Sequence, residues 1–178
     1  MSRMTGTLDR EADLDLVIEE SFARLPPFRP EAEEGKITAA LLEKAERPVI
    51  VAGGGVTTSE AGPELVTLAE KLSIPVATSL NAKTAFPWNP HLAVGVPGSY
   101  SRECANRVLC EADLVFFIGS HAGGQVTNSY SIPPQGTPVI QLDISPEELG
   151  RNYAVKVGLH WTGLLARENR HSLMSKRT

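Results

Sequence analysis

A doubly wound α/β domain, with a mostly parallel six-stranded sheet, is what this 178-residue sequence predicts. Three observations predict it. Short β-rich apolar runs alternate with amphipathic stretches from residue 35 onward. The runs are apolar at nearly every position, as strands covered on both faces of a parallel sheet must be. Glycines or small hydroxyl residues follow almost every run, where a strand has to turn towards the next helix.

The elements can be justified in order. Residues 1–33 are charged and then proline-rich. Leu14, Val17, Ile18 and Phe22 recur at helical spacing, and Pro26, Pro27 and Pro30 favour an extended connector. This stretch reads as an N-terminal helix and linker. Ile37, Leu41, Leu42 and Ala45 predict an amphipathic helix ending before Pro48. Pro48–Ala52 is a buried strand that enters Gly53, Gly54 and Gly55, with a helix expected to start at Thr57–Ser59. Leu65, Leu68, Ala69 and Leu72 mark a helix, and Ile74–Thr78 a second strand.

A loop over Asn81–Pro90 leads to a short strand near Leu92–Val96. Arg102–Glu111 reads as a helix with Ala105, Val108 and Leu109 inward. Leu114–Ile118 is the most apolar strand, and Pro138–Leu142 is another. Ser145 is then placed to cap a short helix with Pro146 in its first position. Strand–helix alternation at this spacing implies right-handed crossovers and a Rossmann-like sheet within a central domain at 34–158.

Composition narrows the function. A net charge of −4 and a pI near 5.6 offer no electrostatic basis for binding nucleic acid or an anionic membrane. No apolar run reaches the roughly 20 residues that span a bilayer. The first ten residues lack the apolar core of a secretory signal. Cys104 and Cys110 form neither a C-x-x-C pair nor a disulfide framework, so they read as packing residues in a reducing, cytoplasmic setting.

The glycine turn is the most informative motif. Glycines let backbone approach a ligand, and a helix start nearby would aim N–H groups at an anion such as a diphosphate. A tight turn that binds nothing explains the same residues. The dinucleotide pattern is incomplete, because Thr58 stands where a third glycine belongs and Ser79-Leu80-Asn81 where an acidic ribose ligand belongs. The other strand ends, Thr78-Ser79, Gly95–Gly98, Gly119-Ser120-His121 and Asp143-Ile144-Ser145, add small residues to one crevice. Asp143 could accept from an adenine or ribose group, or be an acidic strand end that caps the next helix. Ser120 and His121 are neighbours without a nucleophile elbow, and His91, His121, His160 and His171 lack metal-ligand spacing.

Five segments in this order resemble the central domain of thiamine-diphosphate-dependent enzymes of the acetolactate synthase, benzoylformate decarboxylase and pyruvate oxidase group. They are Ala45–Val56, Leu68–Ser79, Asn81–Pro87 with His91–Gly95, Ala112–Gly119 and Ile140–Asn152. The resemblance implies a longer parent enzyme acting on 2-oxo acids by decarboxylation or carboligation. Its other domains or subunits would bind thiamine diphosphate and Mg²⁺, supply a catalytic glutamate and carry a Gly-Asp-Gly motif, and this stretch alone would bind neither. The flavin-binding members imply Gly53, Gly54, Gly55, Thr78, Ser79, Gly98 and Asp143 as counterparts of nucleotide contacts.

Departures argue against FAD or ADP. Pro97-Gly98-Ser99-Tyr100 replaces Gly-Met-His-Gly, and His121-Ala122-Gly123-Gly124-Gln125 replaces Arg-Phe-Asp-Asp-Arg. After Gly158 the likeness ends, so 159–178 reads as a divergent tail. The expectation is a structural and assembly domain, inactive alone, whose partners are the other enzyme domains or a second copy. The alternative is a stand-alone module for ADP, FAD or CoA. A sirtuin-like enzyme has no catalytic histidine or zinc cysteines to stand on here.

Overall fold

A computed structural model describes residues 32–87, 91–101 and 103–160. The helix and connector expected before residue 32, and the tail from 161, lie outside the described residues. Helix α1 (Ala32–Lys44) precedes strand β1 (Pro48–Ala52), and two helices, α2 (Gly54–Thr58) and α3 (Gly62–Leu72), lead to β2 (Val76–Thr78). Strand β3 (Ala93–Gly95), helix α4 (Glu103–Glu111) and β4 (Leu114–Ile118) follow, then β5 (Val139–Asp143) and β6 (Val155–His160). All six strands are parallel, in the order β3-β2-β1-β4-β5-β6. This is the doubly wound order whose direction of progress reverses between β1 and β4.

The central strands are apolar on both sides because each side meets a different core. Ile50, Ala52, Leu114, Phe116 and Ile140 point to one face, where they join Leu65 and Ala69 of α3 and Leu42 of α1. Val49, Val51, Val115, Phe117 and Val139 alternate with them and meet Leu109 of α4, Val126, Ile132 and Tyr153 on the other face. Register makes the two sets coherent, with Ile50 opposite both Val76 and Phe116. Edge strands carry less apolar burial, as β3 is only half-buried and β6 alternates. β6 runs to His160, two residues past the boundary read at 158, and pairs Leu159 with Leu142.

Several elements differ from expectation for physical reasons. The turn after β1 does not wait for Thr57: α2 begins at Gly54 and stops at Thr58, and the longer helix starts at Gly62 with Pro63 in its first turn. Helix α3 ends in a Schellman closure, Ile74 N–H to Ala69 O at 2.9 Å, with Ser73 rather than glycine at φ 54°. Pro75 then prevents further winding. Ile37 is 45% exposed and Thr38 is buried instead, so the inward stripe of α1 is rotated from the one expected. No helix spans the crossover from β4 to β5; turns over 124–132 bury Val126, Thr127 and Ile132 in its place. Ser145 precedes Pro146–Glu148 as read, but its side chain makes no capping bond and the segment is a single 3-10 turn. Cys104 and Cys110 are exposed on α4 rather than packed.

Candidate functional site

In an open parallel sheet, ligands sit beyond the carboxyl ends of the strands. Three groups of residues occupy that edge here. The first is the glycine turn. Gly53 donates its N–H to Ile118 O at 2.8 Å, and Gly55 donates to Gly119 O at 3.0 Å. The turn is thus sewn to the end of β4, the strand beside it. A Cβ on Gly53 would lie 2.1 Å from Gly119 O and 2.6 Å from Ser120 Cα. One on Gly55 would lie 2.8 Å from Gly119 Cα, whose own φ of 57° suits glycine. Backbone therefore occupies the space that a side chain would need, and glycine is required because two main chains touch.

The second group is a crevice of about 100 Å³ between the ends of β2 and β3 and the β4–β5 crossover. Ser79, Leu80, Asn81, Pro97, Tyr100 and Gln125 line it. Ser79 is fixed by its N–H to Ala52 O at 2.8 Å, and Thr78 beneath it is buried. Gly98 turns at φ 95° under the Gln125 carbonyl, and Asn106 of α4 clasps it from both sides. The Asn106 carbonyl accepts from Gly98 N–H at 2.7 Å, and its amide donates to Gly98 O at 3.1 Å. A volume of this size is well below the roughly 300–1,000 Å³ of ligand pockets.

The third group lies across β4. Asp143, the last residue of β5, is 2% exposed. Its Oδ1 accepts from Ser145 N–H at 3.0 Å, whereas its buried Oδ2 has no hydrogen-bond partner. His121 stands over it, and Glu148 is held by Arg151 at 2.6 Å. Gln141, buried in the middle of β5, bonds outward in both directions, donating to Ser120 O at 3.3 Å and accepting from Gly150 N–H at 3.1 Å. Below the edge, Tyr153 stacks on Phe117 with ring centres 6.0 Å apart and donates to Ile132 O at 2.9 Å. Burial pushes its phenol above the ordinary value, and a hydrogen bond from Thr127 offsets part of that.

The sequence-derived residues thus fall into two sets. Gly53, Gly54, Gly55, Thr78, Ser79 and Gly98 gather around the β1–β3 ends, and a Cβ on Gly54 would rest 3.5 Å from Asn81. Asp143 is apart from them, two strands away from β1. Asn106 and Gln141 were not singled out from sequence. A polar residue in the middle of an apolar strand was the available sign for Gln141, while nothing local marks Asn106.

The strand order and its edge define a Rossmann-like, doubly wound α/β domain. Residues 36–162 match the family model described as thiamine pyrophosphate enzyme, central domain, and the chain belongs to that family. It is 36% identical over 148 residues to a probable acetolactate synthase large subunit of Methanocaldococcus jannaschii, covering 81% of this chain and 25% of the relative. Similarity to a sulfoacetaldehyde acetyltransferase of Rhodobacter capsulatus is 36% over 138 residues, 76% of this chain and 23% of that protein. A glyoxylate carboligase of Escherichia coli O157:H7 shares 34% over 138 residues, again 76% and 23%. The chain spans about a quarter of the length of these curated relatives.

The family name brings thiamine diphosphate, and the described residues do not fit it. The N–H groups of Gly53 and Gly55 are engaged by carbonyls, and Gly119 and Ser120 pack directly against the turn. Among the described residues no group of three or more His, Cys, Asp or Glu is placed to hold a metal ion. Nor is any described helix long and apolar enough to cross a membrane.

Proposed function

We propose that this domain is the scaffold of a thiamine-diphosphate-dependent 2-oxo acid decarboxylase or carboligase, and that the cofactor and Mg²⁺ are held by other domains or subunits. The observation that carries this reading is the closure of the glycine turn by the β4 backbone, at Gly53 N–H to Ile118 O and Gly55 N–H to Gly119 O. A turn sealed in this way fastens strands together instead of receiving a diphosphate. The names of the relatives, an acetolactate synthase, a sulfoacetaldehyde acetyltransferase and a glyoxylate carboligase, support a parent enzyme that works on small carbonyl compounds. When bound by the other domains, thiamine diphosphate supplies the carbanion chemistry. The residues described here supply a rigid sheet edge.

The purified chain, incubated with pyruvate, thiamine diphosphate and Mg²⁺, is expected to give no 2-oxo acid turnover. Robust decarboxylation would refute the assignment of roles. Millimolar ADP, FAD or CoA is expected to leave its melting temperature unchanged, since the crevice of about 100 Å³ is too small for an adenine nucleotide. Clear stabilisation by any of the three would instead favour a stand-alone nucleotide-binding module.

A further inference from the structure

We propose that His121 is a proton-operated clasp, whose ring on taking up a proton bridges the Asp143 and Glu148 carboxylates and ties the end of β4 to the turn after β5. Its imidazole already stands between the two. Nε2 lies 3.9 Å from Asp143 Oδ2, and Nδ1 lies 3.8 Å from Glu148 Oε2. Both separations are beyond hydrogen-bond length, so the ring sits beside its partners without engaging either. Asp143 Oδ2 is the group that most needs a donor, being buried and unpartnered.

Chemistry makes the device depend on a proton. Neutral imidazole has one N–H and one lone pair, so it can serve one carboxylate while turning a lone pair on the other. Imidazolium has two donors and a charge, which suits two facing carboxylates. Imidazole is the side chain whose charge changes within about pH 5–8. The backbone needs no rearrangement, because Asn152 Nδ2 holds His121 O at 2.8 Å. Only the side chain, 64% exposed, has to swing.

The charged surroundings come from each neighbouring element. β5 contributes Asp143, and the Pro146–Glu148 turn contributes Glu148, whose Oε1 is taken by Arg151 and whose Oε2 faces the ring. β6 contributes His160, with Nε2 2.8 Å from Ile144 O. His160 is present in every variant below.

The test compares wild type with His121→Gln, which is never charged, and His121→Lys, which always is. Thermal unfolding is followed from about pH 5.5 to 8, together with amide hydrogen exchange over residues 119–124 and 143–150. Wild type is expected to exceed His121→Gln by roughly 1–3 °C at the acid end and by nothing measurable at the alkaline end. Exchange in the two turns should slow on acidification in wild type beyond the intrinsic rate change, and not in either variant. The His121→Lys melting temperature should track that of His121→Gln with a constant offset. A gap between wild type and His121→Gln that is constant across the range overturns the clasp. So does a pH-dependent gap that survives unchanged in a Glu148→Gln, Asp143→Asn background.

Discussion

The glycine turn after β1 and the Asp143 end of β5 lie on the same edge of one sheet, two strands apart, and are finished in opposite ways. At the first, main chain meets main chain: Gly53 and Gly55 donate to β4 carbonyls, and no space remains for a side chain. At the second, side chains meet across a gap, and a buried carboxylate oxygen is left without a donor. Glycines at a strand end therefore do not by themselves make a ligand cradle. What decides is whether their N–H groups point outward or are already bonded, and only the fold reveals that.

Substitutions at the turn should break this contrast most visibly. Gly53 has φ −102°, open to any residue, so the cost of Gly53→Ala is contact alone. With the new Cβ 2.1 Å from Gly119 O, backbone has to move, and a loss of about 3–5 kcal/mol is expected. Calorimetry should record a fall of roughly 10 °C or more. Gly54→Ala, one residue on, meets only Asn81 at ordinary contact distance and should stay within about 0.5 kcal/mol. Equal effects at the two glycines would refute the packing explanation.

A smaller effect is expected from Asn106→Ala. It removes both hydrogen bonds that clasp Gly98 and leaves that turn's N–H to find water. Denaturant unfolding should show a loss of about 1–2 kcal/mol with an unchanged slope. If the loss is negligible, the crevice wall is held by the Ser99 N–H to Gln125 O bond instead.

Tyr153 gives the smallest change and a pH signature. Burial favours the neutral phenol in the folded chain, so the folded state keeps its proton to higher pH than the unfolded one. That contribution is fully present below the unfolded value near 10 and is lost as pH rises through the raised folded value. Tyr153→Phe should cost about 1 kcal/mol at neutral pH, from the lost bond to Ile132 O. The gap to wild type should close above about pH 10. A gap that stays constant into alkali would contradict the burial argument.

The sheet was legible in the sequence because both of its faces are buried. Continuous apolar runs at Pro48–Ala52 and Leu114–Ile118 match β1 and β4 residue for residue. Where burial is one-sided or irregular, reading was poorer. The exposed Ile37 looks like a core residue when only spacing is considered, and the β4–β5 crossover buries Val126 and Ile132 without helical periodicity. The strand-end residues were legible as positions, but not as contacts. Gly53 and Gly55 read equally as ligand cradle or tight turn, since nothing local says that Gly119 will close on them. Gln141 and Asn106 act through partners 9 or 21 and 8 residues away, respectively, in the chain, beyond any local pattern.

Amide hydrogen exchange at Gly53 and Gly55 tests the closed turn most directly. Both N–H groups should exchange slowly in the free protein, at rates close to those of neighbouring β1 amides, and adding millimolar ADP or thiamine diphosphate with Mg²⁺ should leave them unchanged. Fast exchange that becomes protected when either ligand is added would mean that the turn is an open anion cradle, and the scaffold reading would fall.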